Sequence, residues 1–256
     1  MKNIQIITRL FLFVFLCNSS IYSNEPVFKQ GETLDFRIRY GFISAGNVNF
    51  VTEKKDFSGE EVFHTRVDAR TTGFVDQLYQ FHDIYESYYD IQTGLPLFSI
   101  TNQSAGKYRY YNESTYDQNN LSVYSQRKDS VLNLESPVFD VAAAIYYFRR
   151  LDFENLAVND IIELQTFHRD SPFSLSVVYK GVEEELIGVS AYRCHKFALV
   201  VEQGKIFQKK ENMTIYFSAD ENKIPVSIKF NLLVGAFRVE LEHYENLLYP
   251  FDAKIK

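Results

Sequence analysis

The sequence predicts an all-β protein, mainly antiparallel, built as a curved sheet, an open barrel or a sandwich. Three observations lead to this fold class. Apolar and polar residues alternate in many short stretches, and turn-forming residues separate these stretches. Aromatic residues make up 16% of the chain, with 23 Phe and 18 Tyr, and aromatic side chains favour strands. The 46% hydrophobic and 23% charged content is typical of a globular chain.

The first strand is predicted at residues 34–40, where every second residue from Leu34 to Tyr40 is apolar and the others are charged. That pattern is typical of a strand with one face towards a core. The same alternation predicts strands at 63–69, 79–85, 175–179, 197–201, 213–217, 226–232 and 237–241. Turns are predicted at 56–59, 92–94, 118–120, 180–181 and 220–222. Many short strands joined by tight turns favour antiparallel pairing.

One mid-chain helix is predicted near residues 137–150. Ser136 would cap it, Pro137 would occupy its first position, and Asp140 would lie in its first turn. Arg149 and Arg150 would end it, where cations interact favourably with the helix dipole. The helix would separate two β-rich halves of one domain.

The N-terminus predicts export. Lys2 and Arg9 form a positive region before an apolar run at 10–16, which polar residues follow at 18–23. This is the layout of a secretory signal peptide, so we expect a signal at residues 1–23 and a single β-rich domain at 24–256. The apolar run is far shorter than the roughly 20 residues that span a bilayer, which predicts no transmembrane segment after cleavage. A periplasmic or otherwise exported location follows, with a lipid anchor at Cys17 as the alternative.

Composition and motifs argue against several classes of function. The net charge is −6 without a basic block, which disfavours nucleic acid as a partner. The five histidines stand singly, which predicts no metal site. We find no catalytic motif and therefore expect neither an enzyme nor a cofactor. The free Cys194 is expected to be a small buried side chain, and residues 183–185, three consecutive glutamates, are expected to be solvated.

The aromatic residues are the remaining indication of function. In a curved sheet they would line a concave or core-facing surface, and such a surface can enclose an apolar ligand. Filling of the core by the same side chains is the alternative. Asp83 falls among them and would need a polar partner if buried. The candidate ligand-binding residues are Phe36, Tyr40, Phe42, Phe81, Tyr85 and Tyr108.

Several stretches, taken in order, resemble the DUF3108 family of exported bacterial proteins. They are the residues at 31–34 and 40–46, the predicted helix with its sequence VFDVAAAIYYFRR, the residues at 192–196, and those from 215–218 to 223–226. In this family the position of Tyr216 is often Trp. The resemblance implies a β protein of the periplasm or envelope, and it supplies no catalytic residues.

Together these observations favour a non-enzymatic envelope protein that binds a hydrophobic or amphipathic molecule, such as a lipid, in a β-barrel-like cavity. The second hypothesis is a structural or protein-interaction module of the envelope with a filled core and an envelope protein as partner. A hydrolase is the third.

Overall fold

The computed structural model describes residues 25–200, 211–231 and 235–255. The predicted signal peptide and Cys17 lie outside the described residues. Within these ranges the strands form one 14-stranded sheet in which each pair of neighbours is antiparallel. The predicted fold class is confirmed.

Strands that follow one another in the chain are mostly neighbours in the sheet. The first eight are β1 (Glu32–Tyr40), β2 (Ile43–Phe57), β3 (Glu60–Thr71), β4 (Phe81–Asp90), β5 (Pro96–Ala105), β6 (Tyr108–Asp117), β7 (Ser122–Ser125) and β8 (Ser130–Asn133). The others are β9 (Ile161–His168), β10 (Ser171–Ile187), β11 (Ser190–Val200), β12 (Glu211–Ser218), β13 (Pro225–Asn231) and β14 (Ala236–Glu245). Helix α1 (Gly73–Leu78) joins β3 to β4, and α2 (Val141–Phe148) joins β8 to β9. The sheet order is β8-β7-β6-β5-β4-β3-β2-β1-β14-β13-β12-β11-β10-β9.

The sheet curls around its inner face but is not closed by hydrogen bonds between its edge strands, β8 and β9. The edges nevertheless approach each other. Phe139, just before α2, forms a parallel bridge with Thr166 of β9. The rings of Tyr116 in β6 and Phe167 in β9 pack edge-on, 6.0 Å apart. Because α2 contacts β3, β4 and β9, it lies inside the curl.

Two local predictions are wrong in detail. The helix begins at Val141, because the Asp140 carboxylate accepts hydrogen bonds from the backbone N–H groups of Ala142 and Ala143. Asp140 is therefore the N-cap, and Pro137 precedes the helix. The expected turn at 180–181 is a bulge inside β10, where Gly181 adopts a φ of +93°. Glycine accommodates that conformation, so the strand bends and continues.

Antiparallel strands place their connections at two opposite ends of the sheet. One end, which we call the rim, carries the connections at 41–42, 72–80, 106–107, 126–129 and 169–170. The other, which we call the closed end, carries those at 58–59, 91–95, 118–121, 188–189 and 219–224. The N-terminal segment also lies at the closed end, because the Gly31 N–H donates to the Thr52 carbonyl. Phe28 of that segment packs on Tyr146 of α2 with ring centroids 4.7 Å apart.

Candidate ligand-binding site

A row of small hydroxyl side chains makes room for α2 inside the curled sheet. Each member lies opposite the next in the strand register, and all are buried. Small side chains let a helix approach a sheet closely, so this row determines where the interior is filled. The row consists of Thr52, Thr65, Ser87, Ser99, Ser114 and Ser125.

The first turn of α2 is attached to that row. Ser87 donates a hydrogen bond to Asp140 Oδ2 at 2.5 Å, while Oδ1 accepts from the N–H groups of Ala142 and Ala143 at 2.9 and 3.0 Å. Burial raises the pKa of Asp140 to about 6, although the hydrogen bonds from Ser87 and the backbone lower it. An ionisable group therefore holds the helix in place.

The last turn of α2 is held by ion pairing. Arg149 donates to both carboxylate oxygens of Glu32, at 2.6 and 2.8 Å, and to the Asn222 carbonyl. Arg150 donates to the carbonyls of Ile91 and Gln92 in the β4–β5 turn. Both arginines are buried, so the end of α2 and these two side chains occupy the interior at the closed end.

The gap between the sheet edges is bridged by Asp170, in the β9–β10 turn. Its buried carboxylate accepts hydrogen bonds from Asn112 Nδ2, Ser125 Oγ and Arg127 Nη1 at 2.8, 2.6 and 3.1 Å. The Lys128 ammonium donates to its carbonyl. Side chains thus complete the enclosure that strand pairing leaves open.

Towards the rim, the inner face of β1 and β12–β14 is apolar and partly exposed. We call this surface the apolar wall. Its lower row continues into Phe197, which has no exposed surface, so the wall is the part of the core that faces the rim. Phe237 in the upper row is 37% exposed. The lower row is Ile38, Val239, Ile228 and Ile215, and the upper row is Tyr40, Phe237, Phe230 and Met213.

The inner face of β4–β6 is polar towards the rim. Gln103 Nε2 donates to Asp83 Oδ2 at 2.6 Å and to the Tyr85 hydroxyl at 2.7 Å, and Ser104 N–H donates to Asp83 Oδ1. Asp83 is buried and so has the partners that its burial requires. Burial, reinforced by Asp83, raises the pKa of Tyr85. Burial also lowers the pKa of His168, whose ring lies 6.3 Å from that of Tyr85.

One recess lies on the inner face of the sheet beside these polar side chains, and another lies on its outer face, over β1–β3. A polar slot of about 10 Å³ lies between Tyr85, Asn112 and His168, which is room for about one water molecule. An open recess of about 580 Å³ is lined mainly by polar side chains, among them Asp35 and Arg70. Neither suits an acyl chain, so an apolar ligand would lie against the open apolar wall.

The six candidate residues occupy three kinds of position. Tyr40, Phe81, Tyr85 and Tyr108 are on the inner face towards the rim, as their strand register shows. Phe36 is buried in the core, packed on Phe50 at 5.2 Å. Phe42 is completely exposed in the β1–β2 turn. The structure therefore brings four of them around one opening, with Phe42 on its edge.

Other side chains carry less chemistry. Cys194 is buried and unpaired with another cysteine, as expected, and burial raises the pKa of its thiol to about 12. No group of His, Cys, Asp and Glu within the described ranges could hold a metal ion. The prediction that all of residues 183–185 are solvated is wrong, because Glu185 is buried. The Lys229 ammonium lies over the Tyr216 ring and donates a hydrogen bond to the Glu185 carboxylate at 2.6 Å.

Sequence reasoning did not identify the ion pair of Arg149 with Glu32, or the Asp170 bridge. These residues are far apart in the chain, and no local pattern marks them. The only available signal was Glu32 itself, an acidic residue at the start of a strand with an apolar face. No helix in the described part of the chain has the length and apolarity needed to cross a membrane.

Comparison with one solved structure supports the fold. A crystal structure described as a β-barrel-like protein of domain of unknown function DUF1849, from Brucella abortus, has a TM-score of 0.56. It shares 10% sequence identity, and the match covers 88% of this chain and 100% of that one. A DUF1089 family protein from Pseudomonas aeruginosa has 10% identity, 70% and 87% coverage, and a TM-score of 0.39.

Comparison of sequences identifies the family. Among curated proteins, none matches this chain. The family described as protein of unknown function (DUF3108) matches residues 35–242, which include twelve complete strands, most of β1 and β14, and both helices. The predicted resemblance is thereby confirmed, and the chain belongs to the DUF3108 family.

Proposed function

We propose that this protein is a non-enzymatic, exported envelope protein that binds a hydrophobic or amphipathic molecule, such as a lipid, against the apolar wall. The observation that supports this most is the partial exposure of that wall, which continues directly from the buried core. Partly exposed apolar area is costly unless something covers it, at roughly 25 cal/mol per Å².

The opposite face of the opening favours a ligand with a polar end. Asp83, Gln103 and Tyr85 form a linked polar group there. The exposed Arg169 lies over the Tyr108 ring, 5.5 Å from its centroid. An acyl chain on the apolar wall would leave its headgroup close to these residues, and binding sites commonly combine an apolar wall with a few polar groups in this way.

Probe binding tests the proposal. A fluorescent fatty acid should bind residues 24–256, and Phe237→Ser should weaken binding about tenfold or more, because it removes a large apolar contact. Leu248→Ser is the matched control, since Leu248 is also 37% exposed but lies in the C-terminal segment. Equal affinity in the Phe237 variant and the parent would contradict the proposal.

Material purified from its own envelope provides a second measurement. Native mass spectrometry should show a co-purifying lipid that organic extraction removes. The mature N-terminus should be near Asn24, in agreement with an exported chain. Repeated absence of any small molecule, together with no probe binding, would overturn the proposed function. A lipid-modified Cys17 at the N-terminus would replace the predicted cleavage site.

An interaction module with a filled core is the second candidate. The packing of Phe148 favours it, because this ring of α2 lies 4.9 to 5.4 Å from the rings of Phe153, Phe197 and Phe217. Those contacts pack four aromatic rings closely together in the core. On this view the apolar wall would be covered by an envelope protein, and the fatty-acid probe would not bind.

A further inference from the structure

We infer that the rim docks onto the surface of an anionic lipid bilayer. The inference rests on the proposed function and deepens it, because it states the surface from which the ligand would enter. Its basis is a set of exposed apolar side chains on successive connections at one end of the sheet. They are Phe42, Ile43, Phe74, Leu78, Tyr79 and Tyr108.

Phe42 is the most exposed of these side chains. It follows Gly41, whose φ of +57° produces the tight β1–β2 turn and places Phe42 at its tip. It is two positions from Tyr40 in the upper row of the apolar wall, so the rim and the wall form one continuous apolar path. Turn tips are usually polar, and the fold does not need a phenylalanine at this position.

Helix α1 shows the same feature. None of its six residues is buried, and Phe74 and Leu78 are 68% and 71% exposed. Residues four apart lie on one side of a helix, so these two form an apolar stripe that faces solvent. Tyr79 continues the exposed segment. The helix contributes little to the core, and its apolar side chains are available to an external surface.

The charge distribution indicates an anionic surface. Exposed basic residues accompany the rim connections: Arg70, Lys107, Arg109, Arg127, Lys128 and Arg169. The closed end carries Asp56, Glu60 and Glu61 in a single turn. The overall charge is −6, so the whole molecule would be repelled by anionic lipid unless it presented the rim. Apolar side chains among cations are typical of proteins that lie on membranes.

A bilayer fits this geometry better than a second copy of the chain or a protein partner. The exposed residues are carried by separate hairpins around an opening rather than on one flat face. A fluid lipid surface can accommodate such projections individually. A bilayer also accounts for the continuity from Phe42 to the apolar wall, because an acyl chain could move along it without crossing water.

Tryptophan fluorescence gives a direct test, because the chain contains no Trp. In residues 24–256 with Phe42→Trp, emission should shift to shorter wavelength when vesicles of phosphatidylethanolamine and phosphatidylglycerol are added. Val189→Trp is the control, since Val189 is fully exposed at the closed end. Phosphatidylcholine vesicles should produce a much smaller shift. Equal shifts at both positions, or none at Phe42→Trp, would overturn the inference.

Charge variants test the electrostatic part by vesicle co-sedimentation. The pair Lys107→Gln and Arg109→Gln should weaken binding to the anionic vesicles about thirty-fold, given the usual contribution of each basic residue near a membrane. The pair Lys54→Gln and Lys55→Gln removes the same charge far from the rim and should leave binding unchanged. Equal loss in both pairs would contradict a rim-specific contact.

Bilayer docking at the rim and ligand binding at the apolar wall can be tested separately. Phe42→Ser with Phe74→Ser should abolish most vesicle binding while the fatty-acid probe binds as before. Vesicle binding that survives this double substitution overturns docking and leaves probe binding to decide the proposed function. Vesicle binding without any binding of the fatty-acid probe would instead contradict the proposed ligand binding at the apolar wall. Concentration-dependent dimerisation that the double substitution abolishes would assign the rim to a second copy and overturn the bilayer.

Discussion

Arg149 and Glu32 form an ion pair with no exposed surface, although 117 positions separate them in the chain. Two parallel hydrogen bonds, at 2.6 and 2.8 Å, join the guanidinium to the carboxylate. The pair connects the end of α2 to the start of β1. Removing one partner of such a pair leaves a buried charge without compensation, whereas the complete pair is far less costly.

Glu32→Gln should therefore lower the free energy of unfolding by about 3 kcal/mol or more. Urea denaturation of residues 24–256 measures this. Glu242→Gln serves as control, because its partner Arg37 is one-third exposed and such surface pairs contribute about 0–1 kcal/mol. Similar losses in the two variants would show that burial of the Glu32 pair has no special effect.

The N-cap carboxylate of Asp140 should make stability depend on pH. Burial raises its pKa to about 6 from 3.8, so the folded chain holds this proton more tightly than the unfolded chain does. Its contribution to the free energy of unfolding should be greatest below about pH 4 and should decrease as the pH rises to about 6.

Asp140→Asn keeps a capping side chain but cannot ionise. Relative to the parent, this variant should gain on the order of 3 kcal/mol between pH 4 and pH 7. Urea titrations at several pH values measure the difference. A difference that stays constant over this range would contradict the raised pKa.

The Asp170 bridge should hold the two edges of the sheet together. Asp170→Asn removes the charge that accepts from Ser125 and Arg127, and asparagine tolerates the φ of +60° at this position. We expect a loss of about 2 kcal/mol and faster amide hydrogen exchange in β7 and β8. Asp252→Asn, at an exposed position outside the strands, should change neither measurement. Protection of β7 that is unaltered by Asp170→Asn would count against the bridge.

Cys194 should be inert in the folded protein. Its side chain is buried, and burial raises the pKa of its thiol to about 12, so the thiolate that reacts with disulfide reagents is scarce. In residues 24–256 it is the sole cysteine, so thiol titration should show reaction only in urea. Val189→Cys adds an exposed thiol and should react at once. Rapid labelling of the parent without denaturant would contradict this burial.

Local sequence was a reliable guide to the strands and a weaker one to their interruptions. Alternation placed β1, β3, β10 and β12–β14 because side chains on a strand alternate between two faces. It could not show that Gly181 bends β10 instead of ending it, because one glycine is compatible with a bulge or a turn. Likewise Asp140 could act as N-cap or as a first-turn acid, and packing against Ser87 decided which.

For the candidate site, too, local sequence predicted part of the arrangement and packing decided the rest. The aromatic pattern led to Tyr40, Phe81, Tyr85 and Tyr108, which the register brings around the opening. It also led to Phe36, which is buried. Strand alternation shows which side chains share a face, but it does not show how far along the inner face the helix reaches. The position of α2 determines which of them are covered.

The amino-acid sequence by itself determined an antiparallel β protein with one inner apolar face, a mid-chain helix and membership of the DUF3108 family, because these depend on residues near one another in the chain. Only the tertiary structure decided that the sheet curls around α2, that Asp170 joins its edges, and that Arg149 meets Glu32. These contacts link residues far apart in sequence, and their free energy exists only when the chain is folded.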